Sequence, residues 1–211
     1  MPAGQRAAAL IGLIAIAAAI TLPLFGWSFG PLGRLWGDQL LDWAAAALIL
    51  TYVVAIERRP LSSIGFRTPK ILDIALAVFA GALLLLSAGH VDALIPDPLH
   101  PNVFRLGDPV LLTPLWFRVM LVTWPAVVDE VLFRGYGVER IKDLTGSGLV
   151  AGLITWTAFT LTQTRGWGAP FLLDAAFCGL VLTGLYLWRR NTWANIIAHW
   201  IGGAGILLAS G

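Results

Sequence analysis

Seven long apolar stretches limit what this chain can fold into more than any other feature. They run approximately over residues 7–25, 40–56, 71–88, 111–128, 148–164, 170–188 and 193–209. Each approaches the roughly 20 residues that a helix needs to cross a ~30 Å hydrocarbon layer. None alternates apolar and polar residues with period two, so the strands of a β-barrel are not indicated. Helices, in contrast, satisfy every backbone polar group internally, as hydrocarbon demands. The expected fold is therefore all-α, a polytopic transmembrane helical bundle with about seven spans. Six to eight is the range, because Asp42 interrupts the second stretch and Pro114, Arg118 and Pro125 interrupt the fourth. Composition agrees: the 211 residues are 58% hydrophobic and 12% charged, against about 25% charged in soluble domains. A single membrane domain over residues 1–211 is expected. The net charge of +2 is too small to mark a nucleic-acid-binding protein, and one cysteine, Cys178, excludes a disulfide framework.

Arg6 before the first apolar run allows a signal-peptide reading. The run is long for one, however, and the sequence Leu22-Pro23-Leu24-Phe25 is no small-residue cleavage site. A retained span is the expectation. With the N-terminus in the cytoplasm, Arg58, Arg59, Arg67, Lys70, Arg140, Lys142, Arg189 and Arg190 fall inside. Arg34, Arg105 and Arg165 fall outside, beside Asp92, Asp97 and Asp108. This is the positive-inside pattern. Trp27, Trp36, Trp167, Trp188 and Trp193 lie at predicted span ends, as an interfacial aromatic belt would have them. Small residues, as in Gly202-Gly203-Ala204-Gly205 and Gly179 with Gly184, permit close helix approach. A bacterial inner membrane is the expected location, because the chain is compact and its cations sort cleanly.

Ionisable groups inside spans are costly and mark either function or a paired structural contact. Asp42 and Asp73 lie near predicted span ends, where water is expected to reach them, and a structural role is the expectation for both. Arg118 has no obvious partner in the sequence, though an intramembrane carboxylate such as Asp174 could neutralise it; Asp174 lies close to the outer end of its span, and a structural role is the expectation. The run Asp129-Glu130-Val131-Leu132-Phe133-Arg134 differs, with two adjacent acids directly after an apolar run. Four residues apart on a helix, Glu130 and Arg134 share a face and can pair. Asp129 is rotated by about 100° and cannot share that geometry equally. Environments that separate two carboxylates are how acid and base roles are divided. A helix-end salt-bridge network would read the same, and spacing does not separate the two. His199, four residues after Asn195 in the last stretch, could ligate a metal, share a proton or donate to an oxyanion, or be held by a carbonyl.

Taken together, these residues resemble the CPBP family, the type II CAAX prenyl endopeptidases and bacteriocin-processing enzymes. Its motif Glu-Glu-x-x-x-Arg is similar to Asp129-Glu130…Arg134, followed here by Gly135-Tyr136. Its Phe-x-x-x-His aligns with Phe159…Gln163, and its His-x-x-x-Asn with His199…Gly203. Phe177 to Leu180, Gly184-Leu185-Tyr186, Thr192-Trp193-Ala194 and Leu61 to Arg67 look like the family too, so the likeness covers about residues 60–205. The resemblance implies a glutamate-type intramembrane endopeptidase that cuts a membrane-associated peptide or protein substrate. By position, Asp129 would be the base, Glu130 with Arg134 its support, and His199 an oxyanion donor. Phe159, Gln163, Asn195 and Gly203 would support them.

Three of the four most important positions depart from the pattern. Asp for Glu draws the carboxylate back by a methylene, and displacements near 1 Å can cost about 10²-fold in rate. Gln163 cannot take a proton from water. It also counts against zinc, the one candidate cofactor, which prefers Cys, His and carboxylates. Gly203 has no side chain to steady an oxyanion, a donor worth about 3 kcal/mol. The competing expectation is thus a non-catalytic relative that binds a membrane peptide for immunity, sorting or chaperoning. A small transporter would show inverted repeats, and the sequence has no such symmetry. One geometric tension also stands. At 1.5 Å per residue, His199 lies about 10 Å into its span and Gln163 about 20 Å into one running the same way.

Overall fold

The computed structural model describes residues 3–21, 30–92, 113–167 and 172–208. Long helices form where the apolar runs stand: α1 (Ala3–Thr21), α2 (Gly30–Ala55), α3 (Ile71–Asp92), α4 (Leu115–Asp129), α6 (Gly148–Trp167), α7 (Leu172–Arg189) and α8 (Thr192–Gly203). Four shorter pieces were not foreseen, one of them the 3-10 turn Leu61–Ile64. α4 continues without a break into a π-helical segment, Glu130–Val138, and then into α5 (Glu139–Thr145). The seventh stretch is broken at Ala204, after which a short α9 (Gly205–Leu208) follows. No strand occurs among the described residues.

Local chemistry sets the helix boundaries. Gly65 and Gly146 adopt positive φ (84° and 76°) after the 3-10 turn Leu61–Ile64 and after α5, a conformation that glycine takes without a Cβ penalty. Asn191 caps α8 by accepting from the Trp193 and Ala194 amides, which satisfies donors that a helix start leaves open. Arg58, Arg59, Arg67, Arg140, Arg189 and Arg190, all expected on the inner side, lie on segments joined to one another at one end of the bundle. Arg140 clamps Glu57 through Nε and Nη2, and Arg59 pairs with Asp143 at 2.6 Å. Arg190 pairs with Glu139, and Arg189 with Asp73 at 2.6 Å. Thr192 ties the 3-10 turn to the α7–α8 junction, its amide donating to the Gly65 carbonyl and its hydroxyl to the Ile64 carbonyl. Asp73 is 4% exposed, and also accepts from the Lys70 amide. Its expected access to water therefore gives way to burial in a structural bond.

The packing is α3 along α8 and α7, α6 against α7, and α4 against α8. Outward, the helices present large apolar side chains: Ile71 is 88% exposed, Leu86 72% and Phe79 69%. By length and apolarity α7 alone meets the measure of a crossing helix among the described residues; shorter apolar helices cover Gly4–Ala17, Gln39–Ala55 and Ile71–Ser87. Trp188 and Trp193 are exposed near the basic end. Arg34, Arg105, Arg165, Asp92, Asp97, Asp108, Trp27, Trp36 and Trp167 lie, at least in their side chains, outside the described residues.

Candidate active site

Glu130 is the hub. It is the first residue of the π-helical segment, fully buried, and all its contacts are made as an acceptor. Arg134 Nη1 donates to Oε1 at 2.9 Å, and neither side chain is exposed, so the pair expected from spacing forms. Asn195 Nδ2 donates to Oε2 at 3.0 Å and to the Leu182 carbonyl at 2.7 Å. His199 Nδ1 lies 2.9 Å from Oε1. Asn195 and His199 are four apart on α8 and so share the face turned to Glu130. One residue on, Trp200 Nε1 donates to Thr123 of α4 at 3.1 Å, fastening the two helices beside the site.

The aromatic wall comes from α6. The Arg134 guanidinium sits 4.2 Å above the Phe159 ring. Phe159 also packs edge-on against Phe133 at 5.5 Å and His199 at 6.4 Å. Arg134 Nη2 reaches the Gly179 carbonyl at 3.3 Å. Gly179 has to be small, since a Cβ there would stand 2.9 Å from ring atoms of Phe159 and Trp156. Arg134 Nε, Asn195 Oδ1 and Thr183 Oγ1 are buried without a partner among the described residues, so this interior holds polar capacity beyond what the bonds above use.

Asp129 stands apart. It is partly exposed and makes no hydrogen bond among the described residues, while His199, Glu130, Arg134 and Asp42 all lie within its electrostatic reach. Glu130 thus sits in a cage of Arg134, Asn195 and His199, and the acid whose side chain bonds to none of the described residues is Asp129. Asp42 is partly exposed, lies on the same α2 stripe as the buried Ala46, Ile49 and Val53, and stands within electrostatic reach of Asp129. Its spacing of four, seven and eleven residues to those positions was the available signal.

Gln163 is half-buried, one turn beyond Phe159, and bonds to none of the described residues. His199 packs edge-on near Phe159, and Gln163 stands one turn, about 6 Å, further along α6. Gly203 leaves room, since a Cβ there would make only ordinary contact with Val122 at 3.4 Å. Among the described residues no group of three His, Cys, Asp or Glu converges. With His199 Nδ1 already on Glu130 and Gln163 in place of a histidine, the donor set does not fit tetrahedral zinc.

Fold and site define an all-helical protein with an acid–imidazole pair buried between helices and a second, unclaimed acid beside it. The segment that carries them is similar to one family: that described as Type II CAAX prenyl endopeptidase Rce1-like matches residues 111–204, a little under half of the chain. That match runs from α4 to α8 and holds Asp129, Glu130, Arg134, Phe159, Gln163, Asn195, His199 and Gly203. Leu61 to Arg67, also read as family-like, precede it. The family is one of membrane-associated hydrolases. No curated protein and no solved structure matches the chain significantly.

Proposed function

We propose that the protein is an intramembrane endopeptidase that hydrolyses a membrane-proximal peptide bond with a carboxylate-activated water. The observation that carries this reading is the division of labour between adjacent acids: Glu130 is saturated by Arg134, Asn195 and His199, while Asp129 is unclaimed. Because Glu130 accepts, the proton it shares with the imidazole is assigned to Nδ1, which leaves Nε2 as the reacting nitrogen. Asp129 takes a proton from water as it attacks the peptide carbonyl, His199 in its protonated form donates from Nε2 to the oxyanion, and the proton held by Asp129 passes to the departing amine as the C–N bond breaks. The exposed apolar flanks of α2, α3 and α6 face lipid, with the basic end in the cytoplasm of a bacterial inner membrane.

The second reading is a relative that binds a membrane peptide without cutting it. Gln163 and Gly203 favour it, since neither supplies the proton acceptor or oxyanion donor that those positions hold in the family pattern. One assay separates the two. The purified protein in nanodiscs is given a panel of membrane-anchored peptides, with wild type, Asp129→Ala and His199→Ala compared. Hydrolysis by wild type that both variants lose supports the enzyme. Peptide binding by an inactive wild type moves the reading to the binder.

A further inference from the structure

α2 lies before the family-matched segment, yet one of its faces reaches the site. Gln39, Asp42, Ala46, Ile49 and Val53 follow one another at intervals of three and four residues, which places them on one side of the helix. Ala46, Ile49 and Val53 are buried in one cluster with Val128, Val131, Leu132, Phe133 and Phe159, the neighbours of the acid pair. Asp42 is within electrostatic reach of Asp129. Gln39, one turn further along, is 1% exposed, and neither its Oε1 nor its Nε2 has a partner among the described residues.

A carboxamide carries two donors and an acceptor, and burying them unpaired is costly. A leucine would fill this place without that cost, so the amide is a residue kept at the expense of stability. Its complement is a peptide unit, because the amide oxygen can accept a backbone N–H while the NH2 donates to a backbone C=O. A peptide entering hydrocarbon brings those same groups in need of partners. We propose that Gln39 binds one peptide unit of an extended substrate segment that lies along α2 and α4 beside Asp129. This rests on the peptide-site reading above.

The test uses the full chain in nanodiscs and a fluorescent membrane-anchored peptide that the wild type binds, with each backbone amide replaced in turn by an ester. Wild type is expected to lose about tenfold in affinity at one linkage, the effect of one hydrogen bond. Gln39→Leu is expected to bind the all-amide peptide about tenfold more weakly, to lose sensitivity at that linkage alone, and to melt at an equal or higher temperature. Identical ester profiles for the two proteins, wild-type affinity in Gln39→Leu, or a lowered melting temperature in that variant would each overturn the proposal. Failure of wild type to bind any peptide removes the peptide-site reading itself, and this inference with it.

Discussion

Glu130 and Asp129 are neighbours in sequence with opposite surroundings, and their substitution should separate them. Glu130→Gln keeps the shape but leaves Arg134 buried without its counter-charge. Removing one partner of a buried pair costs about 3–5 kcal/mol. Asp129→Asn removes a carboxylate that bonds to none of the described residues and should cost under about 1 kcal/mol. Thermal unfolding in detergent measures the contrast, and equal losses would refute the hub role given to Glu130. The Glu130–Arg134 half of this arrangement was legible, because i,i+4 spacing on a helix leaves little choice. That Asn195 and His199 converge on Glu130 rather than on Asp129 was not legible. It depends on how α8 is seated against the π-helical segment, and a wider helical turn has no signature in Glu-Val-Leu-Phe-Arg-Gly. The stripe that Asp42 shares with Ala46, Ile49 and Val53 was not legible for a related reason: hydropathy reports depth along a span but not which side of the helix faces the core.

At the scale of elements, apolar length located the long helices, most of them within about four residues, but α2 begins at Gly30, well before the stretch read from residue 40, and α8 ends at Gly203, short of the stretch read to residue 209. The break at Ala204 and the short α5 carry no comparable signal. Glycines show the same division. Gly179, Gly184 and the Gly202–Gly205 run were all read as close-approach sites, but only some are. A Cβ at Gly202 would meet Leu84 Cβ at 2.9 Å, whereas one at Gly184 would meet nothing within 4 Å. Gly81, which the sequence did not single out, is tighter still, with Ile201 Cβ at 2.6 Å and the Ala198 carbonyl at 2.8 Å. Because backbone cannot yield as a flexible side-chain tip can, Gly81→Ala should force α3 off α8 and cost about 1–3 kcal/mol. It should also lower peptide hydrolysis or binding, since α8 carries Asn195 and His199. Gly184→Ala should leave melting temperature and function unchanged. A Gly81→Ala protein as stable as wild type would show that α3 and α8 are not locked at this crossing.

Across the whole molecule, the joined basic end is the feature that the sequence half revealed. Sorting the cations by loop put them on one side, but their acids, Glu57, Asp73, Glu139 and Asp143, sit beside them and escape a rule that counts only Lys and Arg. Arg140 is the central tie, bonded to Glu57 and to Ser63 Oγ, with Tyr136 donating to the same Glu57 carboxylate. Arg140→Met would leave Glu57 buried with a phenol alone, and a loss of about 3–5 kcal/mol is expected by chemical or thermal unfolding. Orientation then follows as a separate consequence. If the basic end faces the cytoplasm, a cysteine at the exposed Lys142 should react with an impermeant maleimide only after the membrane is opened. One at Leu115, at the far end of α4 and also exposed, should react in intact cells, both in a Cys178→Ala background. The reverse pattern would invert the topology while leaving the bundle standing. Equal labelling of both in intact cells would mean that α4 and its π-helical continuation do not cross the bilayer, and the lipid-facing assignment of the apolar flanks would fall with it.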